Sequence, residues 1–194
     1  MSAPPSIRRA DRLGERDLAD LSEVLIAVVA AGASVGWLPP VDPVAADAYW
    51  RRTAEAARDD VILLLAETDG RIVGTAQVLP AESANGRHRG EVAKVLVHPD
   101  WQRRGIGRVL MARLEAEARA AGKTLLVLDT RVGDPANALY RVAGWTAAGQ
   151  IPNWARGADG ALYATQFWYK QIAATDGGRS PEFPRSSNRR LLSS

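Results

Sequence analysis

The most informative stretch of the chain is Val95-Leu96-Val97-His98-Pro99-Asp100-Trp101-Gln102-Arg103-Arg104-Gly105-Ile106-Gly107-Arg108. Its pattern predicts the end of an apolar strand, a tight turn, and a helix that begins among two glycines and three arginines. Helix N-termini carry unpaired backbone N–H groups and a partial positive charge, so they attract phosphate groups. The glycines let a ligand approach the backbone closely, and the arginines add charge-assisted hydrogen bonds. A solvated helix start would explain the arginines but not both glycines, so we predict a site for a phosphate-bearing ligand.

Two common phosphate-binding loops fit this stretch less well. A Walker loop needs the pattern Gly-x-x-x-x-Gly-Lys-Ser/Thr, which is absent from the sequence. A dinucleotide-binding fingerprint needs a third glycine where Leu110 stands, and this turn comes late in the chain for that fold. Asp129 follows Gly107 by 22 residues and could imitate the ribose-binding acid of that fingerprint. A dinucleotide site therefore remains a competing interpretation.

Composition limits the possible chemistry. The chain has 194 residues, of which 46% are hydrophobic and 24% charged, which is typical of one folded domain and excludes disorder throughout. Cysteine is absent, which excludes disulfides, thiol nucleophiles and cysteine-based zinc sites. The two histidines are isolated, so we expect no metal site. Without disulfides or a recognisable signal peptide, we expect a cytoplasmic protein.

The positive charge is unevenly distributed. The formal net charge is +3, and residues 173–194 contribute +2 of it through four arginines and two acids. Their Gly, Ser, Pro and Arg content predicts a disordered tail that follows a folded domain at 1–172. Arginines without interleaved aromatics indicate no nucleic-acid partner. The longest uncharged segment, Val24–Val41, contains two glycines and two prolines, so we expect no membrane span.

Hydrophobic periodicity and turn residues predict the order β-α-α-β-β-β-α-β-α-β-β, a mixed α/β (α+β) fold. The predicted strands are Ile7–Ala10, Val61–Glu67, Arg71–Leu79, Glu91–Val97, Thr124–Asp129, Trp145–Gly149 and Leu162–Lys170. The predicted helices are Glu15–Ala31, Pro43–Arg58 with Asp42 as N-cap, Arg104–Ala121 and Asp134–Ala143.

Two motifs in the second half of the chain resemble a known family. Gln102–Gly107 matches the Gln/Arg-x-x-Gly-x-Gly/Ala signature of the GNAT family of N-acetyltransferases. Leu139–Trp145 is similar to that family's second motif, a Leu-Tyr followed by Gly and an aromatic residue. The resemblance covers roughly residues 6–172. Within the family, Leu126–Ala136 and Gly32–Pro39 resemble the tabtoxin-resistance-type branch.

The resemblance implies a mostly antiparallel central sheet flanked by helices, with acetyl-CoA bound at the strand–turn–helix. It implies that the pyrophosphate binds the backbone of Arg103–Arg108 and that the pantetheine arm pairs with Val95–Val97 as an added strand would. The family often has a CoA-contacting Asn where this chain has Gly133, and Asn137 or Asp134 could replace it. The implied cofactor-binding residues are Val95, Leu96, Val97, Gln102, Arg103, Arg104, Gly105, Ile106, Gly107, Arg108 and Asn137.

Acetyl transfer to an amine requires a proton acceptor for the amine and a proton donor for the leaving thiolate. Glu91 begins the predicted motif strand and Asp129 ends the next one, and the family resemblance points to the same pair. Which of them is the main base stays open. Tyr140, a phenol, is the candidate acid. Because the chain has no cysteine, we expect direct transfer from the bound thioester.

The acceptor is less well defined by the sequence. Members of this family usually build acceptor specificity on the loop between the first two helices, here Ser34, Val35, Gly36 and Trp37, with Trp154 and Tyr163 as candidates for the opposite wall. The resemblance implies a small amine, such as an antibiotic or a toxin. The alternatives are acetylation of a protein N-terminus or lysine, or a non-catalytic module that binds acyl-CoA or a nucleotide. We expect a monomer or a homodimer.

Overall fold

The computed structural model describes residues 5–57 and 60–172, which form seven strands and four helices in the predicted order. The strands are β1 (Ser6–Arg9), β2 (Ile62–Thr68), β3 (Arg71–Pro80), β4 (Arg89–Val97), β5 (Leu125–Arg131), β6 (Thr146–Arg156) and β7 (Leu162–Gln171). The helices are α1 (Glu15–Ala30), α2 (Pro43–Ala56), α3 (Ile106–Ala120) and α4 (Ala136–Val142). The predicted mixed α/β fold is therefore confirmed.

The strands form one sheet with a hydrophobic core on each face. The order is β1-β2-β3-β4-β5-β7-β6, and every neighbouring pair is antiparallel except β4 and β5. Side chains of a strand alternate between faces, so Leu64 of β2 packs with α3 while Leu63 and Leu65 pack with α1 and α2. The sheet therefore separates an α1/α2 layer from an α3/α4 layer.

The helix starts follow local sequence signals. Asp42 caps α2 by accepting a hydrogen bond from the Val44 N–H (3.0 Å), and Pro43 occupies the first helical position, as predicted. The predicted end of this helix, Arg58, lies outside the described residues, as does the predicted tail at 173–194. None of the helices within 5–57 and 60–172 is long and apolar enough to cross a membrane.

Strand lengths differ from the prediction where pairing partners extend them. The predicted strand Trp145–Gly149 runs instead from Thr146 to Arg156, and nearly all of its residues are exposed. Pro152 and the left-handed Asn153 (φ +54°) lie within it, at an irregularity in its register with β7. An edge strand tolerates proline and bulges because only one of its sides needs hydrogen bonds. Pairing with β7 therefore overrides the turn signals of the sequence.

Candidate active site

A cleft of about 1030 Å³ opens where the two parallel strands β4 and β5 diverge. Their last paired residues are Glu91 and Val127, although both strands continue beyond that point. The main chain of β4 after Glu91 therefore has no β5 partner, and its N–H and C=O groups remain available to a ligand. Val95, Leu96 and Val97, the residues predicted to pair with an extended ligand, line this cleft.

The cleft connects the two faces of the sheet, because residues from both helical layers line it. We call the α3/α4 face, with Gln102–Arg108 and Tyr140, the helix side. We call the α1/α2 face, with the loop residues Ser34–Gly36 and with Lys94, the loop side.

The helix side begins with a tight turn that leads into α3. Arg103 (φ +60°) and Gly105 (φ +82°) both adopt left-handed backbone conformations, which reverse the chain direction. Gln102 fixes the turn to β4, because its Nε2 donates to the carbonyl oxygen of Val97 (3.0 Å). No side chain caps α3 at Gly105. The first N–H groups of the helix are therefore available to an anion.

The three arginines of this turn have different surroundings. Arg103 and Arg108 line the cleft. Arg104 does not: its guanidinium stacks 4.5 Å from the ring centre of Trp101 and donates to the carbonyl oxygen of Asp100 (2.9 Å). The structure therefore brings two of the three arginines to the cleft, and it gives Arg104 a role in holding the turn together.

The two candidate bases lie at the point where β4 and β5 separate. Glu91 and Asp129 are both exposed and line the cleft. Asp129 follows the buried Leu128, which faces the α3/α4 core, so strand alternation directs Asp129 to the loop side. Thr165 of β7, itself buried, positions this carboxylate: its Oγ1 lies 2.8 Å from Asp129 Oδ2 and 3.0 Å from the Thr130 carbonyl oxygen. One oxygen of the Asp129 carboxylate is therefore held while the other remains accessible.

Tyr140 lies on the opposite face of the cleft from these carboxylates. It belongs to α4, is only 6% exposed, and packs against Trp145 and Trp168 at centroid distances of 6.0 and 6.3 Å. Burial raises the pKa of its phenol above the ordinary value, and the negative charges of Asp134 and Asp129 raise it further. Tyr140 therefore stays protonated throughout the physiological pH range.

Asn137, predicted to contact the cofactor, does not reach the cleft. Its Nδ2 donates to the carbonyl oxygens of Arg131 and Asp134 (both 2.8 Å), and its Oδ1 accepts from Trp168 Nε1 (3.3 Å). The amide is therefore fully used in joining α4 to β5 and β7. Asp134, the other candidate, does line the cleft, but its Oδ1 caps the start of α4 at the Ala136 N–H (2.9 Å).

The predicted acceptor loop is divided between the cleft and the core. Ser34, Val35 and Gly36 line the cleft. Trp37 does not, because its ring packs edge-on against Tyr49 of α2 (5.9 Å between centroids) in the α1/α2 core. Trp154 and Tyr163, predicted for the opposite wall, both line the cleft.

A bridge spans the loop side of the cleft. Arg131 at the end of β5 donates from Nη2 to the carbonyl oxygen of Gly32 (3.1 Å), in the loop after α1. Its guanidinium also lies over the ring of Tyr163 (5.2 Å) and pairs with Asp134 (3.9 Å). This contact joins β5, β7 and the α1–α2 loop, so it narrows the entrance on this side.

Sequence reasoning missed three residues of this site: Lys94, Arg131 and Thr165. Lys94 is a lone cation within the apolar strand Glu91–Val97, and that break in the pattern was a usable signal. Arg131 and Thr165 carried no such signal, because their roles depend on the pairing of β5 with β7, where they are direct register partners. Within residues 5–57 and 60–172, no three His, Asp or Glu side chains converge as ligands for a metal ion.

Comparison with known proteins is consistent with this geometry. The profile described as the Acetyltransferase (GNAT) family matches residues 33–145. The chain is 33% identical over 129 residues to the N-acetyltransferase of the hisH–hisA intergenic region of Azospirillum brasilense. This match covers 65% of this chain and 75% of that protein. It is 36% identical over 95 residues to the aminoglycoside N(6')-acetyltransferase type 1 of Stenotrophomonas maltophilia, covering 46% of this chain and 62% of the relative.

Solved structures show the same architecture. The acetyltransferase yncA of Salmonella typhimurium, solved with acetyl-CoA, superposes with a TM-score of 0.74 at 25% identity over 93% of this chain and 99% of that one. A ribosomal-protein-alanine N-acetyltransferase of Brucella melitensis superposes with a TM-score of 0.72 at 28% identity. The match covers 86% of this chain and 99% of that one. The family profile spans more than half of this chain. The chain also has the same fold as these enzymes. The chain therefore belongs to the GNAT family and is an acetyl-CoA-dependent N-acetyltransferase.

Proposed function

We propose that the protein transfers an acetyl group directly from acetyl-CoA to the amine of a small molecule, with a carboxylate as general base and Tyr140 as general acid. The observation that carries this proposal is the separation of chemical groups across the cleft. Phosphate-binding groups and a protonated phenol lie on the helix side, and two carboxylates face the loop side. A thioester held between the diverging strands would thus have a proton donor, Tyr140, on its helix side and two proton acceptors, Glu91 and Asp129, on its loop side.

The residues around the turn suit the charged half of the donor. The unpaired N–H groups at the start of α3, with Arg103 and Arg108 beside them, form a cationic cradle for a pyrophosphate. The free main-chain edge of β4 suits the amides of a pantetheine arm. Bound there, acetyl-CoA supplies an activated acetyl thioester.

The chain's own groups then move two protons. An alkyl ammonium titrates near ~10, so most acceptors arrive protonated and must lose a proton before they attack the carbonyl carbon. Asp129, held at one oxygen by Thr165, accepts this proton directly or through water, and Glu91 is the second acceptor in reach of the same space. As the new C–N bond forms and the C–S bond breaks, Tyr140 donates its proton to the leaving sulfur. The acetylated nitrogen then releases its extra proton to water, and water returns a proton to Tyr140.

The narrowed loop side favours a small acceptor over a protein segment. The hydrogen bond from Arg131 to Gly32 and the stacking of Arg131 on Tyr163 restrict the space at this entrance, which suits a compact molecule. Relatives named as an aminoglycoside N(6')-acetyltransferase and as an L-amino acid N-acyltransferase lend support to small acceptors. An antibiotic or toxin acceptor, as in the tabtoxin-resistance-type branch, is part of this proposal.

A turnover screen tests the proposal. The protein with acetyl-CoA is incubated with amino acids, polyamines, aminoglycosides and β-lactam-like amines, and with peptides carrying a free N-terminus or lysine. Release of free thiol is followed, and acetylated products are identified by mass spectrometry. We expect transfer to at least one small amine and slower transfer to peptides. Transfer to peptides alone would contradict the small-molecule proposal, and acetyl-CoA binding without any turnover would favour a non-catalytic binding module.

A further inference from the structure

Lys94 occupies an unusual position in the middle of β4. Ala93 pairs with Gln77 and Leu96 pairs with Thr75, so Lys94 and Val95 together oppose the single residue Ala76. This bulge places Lys94 in the left-handed region (φ +48°), where glycine or asparagine would be less strained. Lysine is thus not favoured at this position by its backbone conformation. We therefore look for the role of its side chain.

The Lys94 side chain crosses to the loop side of the cleft. Its Nζ lies 5.4 Å from the ring centre of Tyr49 and 3.8 Å from where a Cβ on Gly36 would stand. Lys94 lines the same cleft as Ser34 and Val35. Its ammonium is therefore beside the loop that faces the acceptor.

The ammonium of Lys94 lacks a close anionic partner among the described residues. Its surroundings lower its pKa chiefly through burial, while the charges of Glu91 and Asp129 act in the opposite direction without a hydrogen bond to it. The direct contact of this partly buried cation is the ring of Tyr49 and not an anion, so its burial is costly, and a ligand anion would offset that cost. The other cation of this side, Arg131, is already held by Gly32, Asp134 and Tyr163.

Opposite charges thus line the same cleft without a hydrogen bond between them. Glu91 and Asp129 provide the negative groups, and Lys94 provides a positive group whose direct contact is an aromatic ring. A molecule that carries both an ammonium and a carboxylate, such as an amino acid, complements both kinds of charge at once. A plain amine or polyamine would leave Lys94 unpaired and facing a second cation.

We infer that Lys94 binds an anionic group of the acceptor, so that the preferred acceptors are amines that also carry a carboxylate. This inference rests on the proposed function and assigns the substrate class of the same site. Lys94 is then a specificity-determining residue, and the acetyl transfer itself does not pass through it.

Matched pairs of acceptors test the inference. Each L-amino acid is compared with its carboxamide, which keeps the amine and side chain but lacks the negative charge. Acetyl transfer is measured by thiol release, and binding to the protein saturated with CoA is measured by calorimetry. We expect kcat/KM for the best acid to exceed that for its amide by about 10- to 100-fold, as a charged hydrogen bond provides.

The variant Lys94→Met keeps the aliphatic stem and the backbone strain while removing the charge. It should abolish most of the preference for the acid over the amide, chiefly through KM, because the charged contact with the carboxylate is lost. Lys94→Arg should restore part of the preference. The control is Lys123→Met, because Lys123 donates to the Arg87 carbonyl oxygen (2.9 Å) and does not line the cleft. This variant should leave the acid-to-amide ratio of kcat/KM unchanged.

Three outcomes would overturn the inference. The first is equal use of acids and amides by the unaltered protein. The second is an unchanged preference in Lys94→Met with acetyl-CoA affinity intact. The third is a complete absence of carboxylate-bearing acceptors or ligands in both assays. Transfer to amines without a carboxylate would still support the proposed function in each case, so the two failures are distinguishable.

Discussion

The helix side of the cleft is built from one short stretch of main chain, whereas the loop side is built from side chains of separate segments. Gln102–Arg108 provides the turn, the helix start and the two arginines of the helix side. The loop side takes Gly36 from the α1–α2 loop, Lys94 from β4, Asp129 from β5 and Thr165 from β7. In the proposed function, backbone groups of the helix side bind the donor, and side chains of the loop side set the chemistry and the acceptor. Substitutions on the two sides should therefore have different kinetic consequences.

The largest effect is expected at Asp129. Asp129→Ala should lower kcat by about 10²- to 10³-fold, because positioned general bases contribute on that scale. Acetyl-CoA affinity, measured by calorimetry, should stay within about threefold, since the proposed donor site lies on the helix side. Glu91→Gln is the matched variant that identifies the main base. If kcat were unchanged in Asp129→Ala but strongly lowered in Glu91→Gln, the main base would be Glu91.

The next effect concerns Tyr140, the one proposed reacting group on the helix side. Tyr140→Phe should lower kcat by about 10²-fold with little change in folding stability, because only the hydroxyl is removed. Since burial and nearby carboxylates raise the phenol pKa above its ordinary value, the protonated form persists as pH rises. The pH profile of kcat should therefore show no loss from Tyr140 ionisation below about pH 10. A fall in kcat between pH 8 and 9 that disappears in Tyr140→Phe would contradict this assignment.

A smaller effect separates two adjacent arginines. Arg103→Ala should weaken acetyl-CoA binding by about tenfold, the scale of one charge-assisted hydrogen bond, without changing kcat. Arg104→Ala should weaken it much less, because Arg104 stacks on Trp101 and does not itself line the cleft. Calorimetry with CoA and with NAD measures both effects. Equal losses in the two variants would show that the turn acts through its total charge, and tighter binding of NAD would favour a dinucleotide site.

The smallest effect tests the turn itself. Gly105→Ala forces a residue with a Cβ into a left-handed conformation (φ +82°) and should cost about 1 kcal/mol, or roughly 2–4 °C in melting temperature. Gly107→Ala is the matched control, since it has helical geometry and its Cβ would meet Leu139 Cδ2 at an ordinary 3.4 Å. Equal melting temperatures for Gly105→Ala and the unaltered protein would show that the turn tolerates another backbone conformation.

The parts of the fold that follow from local rules were predictable. The order of strands and helices, the Asp42 cap and the Gly105 turn depend on residues within a few positions of one another. The length of β6 was not predictable, because Pro152 and Asn153 give turn signals that only pairing with β7 overrides. Local propensity is a weak signal when a tertiary partner supplies the hydrogen bonds.

The sequence alone determined the chemistry available to this protein and the position of the turn between β4 and α3. The lack of cysteine, the two glycines with their arginines, and the carboxylates of Glu91 and Asp129 are all properties of short segments. The structure places both carboxylates inside β4 and β5 and not at their predicted ends. Only the tertiary structure decided which of these residues meet. It turned Arg104 and Asn137 away from the cleft and brought Lys94, Arg131 and Thr165 into it. The physical reason is that strand register and the divergence of β4 from β5 set the direction of each side chain, and both depend on contacts between residues far apart in the chain.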